Sequence, residues 1–259
     1  MEVNTIILGA NPFFDAYIQS DMLGKFIFIA LYALSVCSWV ILIHKIWLTH
    51  QVKKSALRFH EAFQLQKLNP LSLDFDNLSQ KKAINPFLDL YKVLKKQSLD
   101  LLAKNRHFSQ QATNISSINT NANSIHPSQN SLSLSDIDFV ASHLSATVAS
   151  QVKFLEKHLY ILSTTVSLAP FLGLLGTVWG ILMTFSALQS QSAGSTHQMV
   201  LGGLSLALAT TVLGLLDAIP ALIGYNYLKN SIRDFATDME GFSNEILASV
   251  ELQYRKVDN

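Results

Sequence analysis

Two apolar segments between Pro170 and Asn226 repeat one unusual spacing of small residues, and that spacing restricts what the chain can become. The first reads APFLGLLGTVWGILMTFSAL and the second MVLGGLSLALATTVLGLLDAIPALIGYNYL. Each is long enough to cross a bilayer, which takes about 20 mostly apolar residues. On the first, Gly173, Thr177, Gly180, Thr184 and Ala187 recur at steps of four, three, four and three. On the second, Ala207, Thr211, Gly214, Ala218 and Ala221 repeat those steps. Such steps line one face of a helix. A face of small residues lets backbones approach closely in lipid, where packing and hydrogen bonds replace the hydrophobic effect. Both helices are therefore expected to turn these ridges onto other helices or onto a narrow lumen. Gly173, Gly180, Thr184, Ala207, Gly214 and Ala218 are the positions that would do so.

Composition supports a membrane chain. Of 259 residues, 49% are hydrophobic and 14% charged, where a soluble domain carries about a quarter charged. A net charge of +1 leaves no basic surplus to neutralise phosphates, so no nucleic-acid partner is expected. Cys37, the single cysteine, lies in an apolar run and reads as a small buried hydrophobe, with no disulfide framework and no thiolate metal site. His44, His158 and His197 have no metal-ligand spacing. With no nucleophile constellation, no paired carboxylates and no phosphate-cradling loop, neither an enzyme nor a metal or cofactor site is expected.

A third apolar run, Phe26 to Ile43, contains no charge and is followed by His44, Lys45 and Trp47. The preceding residues are acidic, unlike a cleaved signal peptide. It reads as a first span, with Trp39 and Trp47 suited to the interfacial aromatic belt. Basic flanks mark the cytoplasmic side. Lys45, Lys53, Lys54 and Arg58 follow the first span, Lys153 and Lys157 precede the second, and Lys229 and Arg233 follow the third. The loop between the last two has neither Lys nor Arg. The expected order is a periplasmic segment (1–22), transmembrane helix 1 (23–48), a cytoplasmic helical loop (49–157), transmembrane helix 2 (158–188), a periplasmic loop (189–198), transmembrane helix 3 (199–228) and a cytoplasmic helix (229–259).

Within the cytoplasmic part, Gln51 to Leu68 continues the first span as a helix. Asn85-Pro86 opens another helix to about Arg106, with Pro at the first helical position. Residues 109–135 are rich in Ser, Asn and Gln and are expected to be a flexible loop. Ser135 with Asp138 reads as a capping box, starting a helix that carries Ile137, Val140, Leu144, Val148, Val152 and Leu155 straight into the second span. Phe235, Met239, Phe242, Ile246 and Val250 form a matching stripe after the third span. The two stripes predict an antiparallel helix hairpin.

The residues GLLGTVWGILMTF followed by GGLSLALATTVLGLLDAIPALIGYN resemble the ExbB/TolQ/MotA proton-channel family, in its TolQ/ExbB branch. SWVILIHK in the first span is similar to the same region of TolQ. The strong likeness covers about 60 residues, and the arrangement of spans extends it to most of the chain. The resemblance implies an all-α membrane protein, three spans with long cytoplasmic helical extensions, assembled as a homopentamer. It implies a lumen lined by the second and third helices, holding the single-span helices of an ExbD/TolR-like dimer. Protons would be the coupling ion, and work would pass to a TonB/TolA-like periplasm-spanning protein, for envelope integrity or energised outer-membrane transport. The two threonines of the family motif fall on Thr177 and Thr211, already on the small-residue ridges.

The chain also departs from that pattern. The usual proline and glutamate before the third-span motif are Gly202 and Leu206 here, whereas an alanine of the family's AAIPA is Asp217. Leu206 and Asp217 are eleven residues apart, about three helical turns and nearly one face, so an acid is displaced by about 16 Å along the helix. A charge in the apolar part of a span costs at least about 2.5 kcal/mol on insertion scales, so Asp217 must face protein or water. It is expected in the ion pathway or against a partner, with a structural hydrogen bond as the competing role. Loss of the glutamate keeps a non-conducting membrane scaffold for a one-span partner open as an alternative. A flagellar MotA-type stator resembles a four-span design and fits three spans less well.

Overall fold

The computed structural model describes residues 12–65, 71, 84–116, 131–189 and 196–255. They form α1 (Pro12–Gln19), α2 (Met22–Leu65), α3 (Pro86–Ser116), α4 (Leu134–Glu156), α5 (Leu159–Gln189) and α6 (Thr196–Tyr254). Among the described residues the β-type pairing is one isolated bridge between Leu132 and Arg255. Three stretches, Met22–Leu65, Leu159–Ser186 and Val200–Tyr254, are long and apolar enough to cross a membrane. At 44 and 59 residues, α2 and α6 are about 66 and 88 Å long, well beyond the roughly 30 Å of a hydrocarbon core. Both therefore continue past any membrane they span. Phe26, Tyr32, Phe171 and Ile223 are exposed by 65% or more, a surface that suits lipid or neighbouring helices rather than water.

The contacts divide the chain into two units. One comprises Met1–Ile46 with Lys157–Lys229, the other Trp47–Glu156 with Asn230–Asn259. In the first, one cluster is small and aliphatic: Ile27 and Leu31 of α2 close on Ala169 of α5 and Ala218 of α6. A second cluster joins Ala16 of α1, Phe28 of α2, and Leu206 and Ala209 of α6.

The second unit has a conventional aromatic core. Phe87 of α3 stacks on Phe242 of α6, with centroids 4.4 Å apart and planes 4° from parallel. Phe59 and Phe63 of α2 meet Phe242 edge-on. The stripes on α4 and α6 are buried, from Ile137 to Leu155 with Val152 half-buried, and from Phe235 to Val250. The Leu132 N–H donates to the Tyr254 carbonyl at 2.7 Å, pinning the start of α4 to the end of α6. Where the two stripes predict a hairpin, the ring contacts add the end of α2 and the start of α3. A two-helix hairpin would leave Phe59, Phe63 and Tyr91 uncovered, and all three are 2% exposed or less.

Three local expectations are corrected. The cap of α4 is Ser133 with Asp136, not Ser135 with Asp138. The Asp136 N–H donates to Ser133 Oγ at 3.2 Å, and the Ser133 N–H donates to Asp136 Oδ2 at 3.0 Å. The tether at Leu132 fixes the chain's entry and puts Ser133 at the cap. Next, α4 does not run into α5. His158 sits at φ 72°, a left-handed conformation that a helix cannot pass through. Finally, the expected loop 109–135 is helical at its near end, because α3 continues to Ser116, and its far end enters α4. Extending an existing helix adds a hydrogen bond per residue without a new nucleus, so weak formers follow strong ones. Residues 117–130 lie outside the described residues.

Candidate functional site in the membrane-spanning helices

Asp21 organises the entrance to α2. Its Oδ1 accepts the Gly24 N–H at 3.0 Å, the bond expected of an acidic N-cap. The indole N–H of Trp179 on α5 reaches both Asp21 oxygens at 3.0 Å. One carboxylate thus caps α2 and ties α5 to it.

The two small-residue ridges meet each other. A Cβ at Gly173 would stand 3.0 Å from the Thr210 carbonyl oxygen and 3.1 Å from Thr211 Cα. One at Gly180 would stand 2.5 Å from the Gly203 carbonyl oxygen, and one at Gly214 would stand 2.6 Å from that of Ala169. Ala207 is 3% exposed and lies against Gly180, and Thr184 returns its hydroxyl to the Gly180 carbonyl at 2.8 Å. Ala218 is turned to Ile27 and Leu31 of α2 and Ala169 of α5. Gly173, Gly180, Ala207 and Gly214 are thus packed against the neighbouring helix, the helix-packing role expected of them. Their spacing is what two backbones in van der Waals contact require, and each ridge finds the other within one protomer. The side chain of Ala187 lies outside the described residues.

Thr184, Thr210 and Thr211 lie on this seam. Thr177 is partly exposed and donates to the Leu174 carbonyl one turn back at 2.6 Å. Thr211 lies between the carbonyls of Ala207, at 3.2 Å on its own helix, and Gly173, at 3.4 Å on α5. Thr210, which the ridge spacing passes over, is fully buried. Its hydroxyl is 2.9 Å from the Leu206 carbonyl and 3.5 Å from that of Gly173, and it sits directly against Gly176. The adjacent pair Thr210-Thr211 was the available signal, but a single-face rule selects only one of two neighbours.

Asp217 belongs to a different side of α6. It is 5% exposed and faces α2, where Ser38 donates to its Oδ1 at 3.0 Å. Its Oδ2 is buried without a hydrogen-bond partner among the described residues. Sequence reading passed over Ser38 because a lone serine in an apolar run is ordinarily satisfied by its own helix, and Ser38 also reaches the Ser35 carbonyl at 3.0 Å. Leu206 likewise points away from the seam, against Ala16 and Phe28. The structure thus places Thr211 at the α5–α6 seam and Asp217 against α2, with Thr177 bonded to its own helix. Cys37, expected to be buried, is exposed on α2. No group of three His, Cys, Asp or Glu side chains that could hold a metal occurs among the described residues.

The stretch that forms the seam matches the MotA/TolQ/ExbB proton channel family over residues 115–241. The chain is 44% identical over 99 residues to the biopolymer transport protein ExbB of Aquifex aeolicus, covering 38% of this chain and 66% of that protein. It is 38% identical over 103 residues to the Tol-Pal system protein TolQ of Haemophilus influenzae, covering 40% and 45%.

The chain belongs to the MotA/TolQ/ExbB family.

A longer match, 27% identical over 243 residues, aligns 93% of this family member with 86% of the ExbB protein of Salmonella typhimurium. The first two matches span 66% and 45% of those relatives' own lengths. The family match runs from the end of α3 through α4 and α5 and into α6. It therefore covers the seam, Thr177, Thr210, Thr211 and Asp217, and leaves Ser38 and Asp21 outside.

Proposed function

We propose that this protein is the channel-forming subunit of an inner-membrane proton-motive-force motor of the TolQ/ExbB kind. Five copies surround a lumen that holds the single-span helices of an ExbD/TolR-like dimer. Proton flow strains or turns that dimer, and a TonB/TolA-like protein carries the work outward, for envelope integrity or energised outer-membrane transport. The basic flanks set the N-terminus in the periplasm and the C-terminus in the cytoplasm. Protons are the coupling ion, and no bound cofactor enters the scheme.

The observation that carries this reading is the threonine-bearing seam between α5 and α6, inside the stretch that matches the proton channel family. A hydroxyl donates and accepts at once, as a water-and-hydroxyl relay requires. Thr177, partly exposed, has a side free for water or for a partner. Thr211, set between carbonyls of two helices, has a hydroxyl that can change acceptor. The one-span partner and this chain, reconstituted together in vesicles, should admit protons under an imposed gradient. Thr211→Val should lower that flux at least about tenfold, since a positioned proton-transfer group contributes roughly a hundredfold or more. Equal flux through the variant would remove Thr211 from the path.

A scaffold that anchors the partner without conducting is the second reading. Thr177, Thr210 and Thr211 all bond carbonyls of their own helices, as purely structural threonines do. Retention of the partner by vesicles no leakier than lipid alone would select the scaffold.

A further inference from the structure

Between α1, α2 and α6 lies a cavity of about 690 Å³. Its floor is closed to polar chemistry. Ser38 donates to Asp217 Oδ1 at 3.0 Å and Ser35 also bonds that carboxyl, while Oδ2 has no accessible surface. Phe28 and Leu31 complete the floor and are likewise buried. The rim is apolar and open: Phe14, Ile29, Tyr32, Trp39 and Leu216 line the cavity and are exposed. No Lys, Arg or His is on the wall, and Asp217 is its only Asp or Glu. What is left to meet an occupant is chiefly hydrocarbon and ring faces. A charged occupant would lose its hydration there without a partner, so an apolar one is favoured.

Shape narrows the choice. Along α2 the lining runs from Phe28 to Trp39, eleven residues or about 16 Å. That is about half of a roughly 30 Å hydrocarbon core, the depth of one leaflet. The end near Phe28 is closed by α1, where Tyr17 meets that ring edge-on at 5.9 Å. A helix of a second copy, at least about 10 Å across, would need about 1,300 Å³ over the same 16 Å, nearly twice the space present. A hydrocarbon chain is far narrower, and in a membrane-spanning unit it is also the surrounding solvent. From this geometry we infer that the cavity is a site for one acyl chain of a membrane phospholipid. The chain enters sideways over the open rim, lies along α2, and shields Phe28, Leu31 and the closed Asp217 carboxyl from water. With no charge on the wall to read a headgroup, the chain alone is bound. The site is on the α2 side of α6, away from the α5–α6 seam, and does not depend on whether that seam conducts.

The test uses the full chain in phosphatidylcholine nanodiscs, with a small fraction of the lipid carrying a photoactivatable diazirine partway along one acyl chain. Peptide mass spectrometry then locates the label. Bulk lipid touches the rim and the outer faces of the helices but not the buried floor. Label on Phe28, Leu31 or Asp217 is therefore expected, and marks a chain inside the cavity. Leu216→Trp and Ile29→Trp, at exposed positions of the lining, narrow the cavity from α6 and from α2. Each should reduce floor labelling at least about tenfold, through loss of dispersion contacts that are small singly and large together, with labelling elsewhere on the chain unchanged. Leu215→Trp, exposed on the same helix but outside the lining, should leave the floor labelled as in the wild type. Carrying the diazirine on phosphatidylglycerol instead should also leave floor labelling unchanged. An unlabelled floor in the wild type would overturn the site, and is also what a second copy lying across the rim would give. So would wild-type floor labelling in both cavity variants, or labelling that follows the headgroup. Proton flux through the same chain, moved to vesicles with the one-span partner, reports separately on the motor.

Discussion

Single side chains decide more here than their chemistry alone suggests. Asp217 is costly wherever it sits in a span, and its consequence depends on which neighbour meets it. The structure gives it Ser38 on α2 rather than a threonine on the seam. Asp136 shows a different case, an acid held by its own helix cap and by α3. Burial alone would raise its pKa. The Ser133 N–H, the Asn105 amide at 2.9 Å, the Ser133 hydroxyl and the Lys104 charge outweigh burial and hold it below the ordinary carboxylate value. A depressed folded pKa adds stability above the unfolded value, and that increment disappears as pH falls through the folded one. Asp136→Asn should therefore be less stable than the wild type near neutrality. Thermal unfolding at a series of pH values should show the two converging on the acid side. A gap that persists undiminished below the carboxylate range would mean that the charge of Asp136 contributes nothing.

At the scale of elements, α5 and α6 form one object because neither ridge carries a side chain large enough to hold the backbones apart. Gly180 is the tightest point of the Gly173, Gly180 and Gly214 contacts, with the Gly203 carbonyl where a methyl group would go. A backbone oxygen cannot swing aside as a flexible side chain can. Gly180→Ala should thus cost about 1–3 kcal/mol, the range for overpacking, seen as a lower unfolding midpoint in detergent. Gly241, with nothing within 4 Å of a built Cβ, is the control, where Ala should leave the midpoint unchanged or raise it. If both variants behaved alike, the close approach of α5 and α6 would be refuted. His158 belongs to this scale too. Its φ of 72° ends one helix before the next begins, a break that no Pro or Gly announces.

Over the whole molecule, two kinds of core coexist. One unit closes its helices on small and aliphatic groups, with Phe28 in a second cluster, and the other is built from rings around Phe242. Apolar burial drives the second as in any soluble bundle, whereas close packing must serve where lipid competes. Phe242 touches Phe59, Phe63 and Phe87 and is 2% exposed. Phe242→Ala should destabilise its unit by about 3–5 kcal/mol. Hydrogen exchange should then quicken across residues 86–116 and 230–254, with the protection of α5 retained. Uniform quickening through α5 would show that the two cores unfold as one. Thr177 and Thr211 lie in the first of these units.

The sequence by itself determined three long apolar helices, the ridge spacing and the stripes from Ile137 to Leu155 and Phe235 to Val250. Each of these is a periodic pattern within one helix, and periodicity is legible without knowing any neighbour. Tertiary structure alone decided what each face meets. It set one ridge against the other, turned Asp217 to Ser38 across 179 positions of chain, and brought Trp179 to Asp21 across 158. It also moved the cap of α4 to Ser133, because Tyr254 holds Leu132 from the far end of the chain. Spacing says which residues share a face; only the contact between distant segments says which face is already occupied.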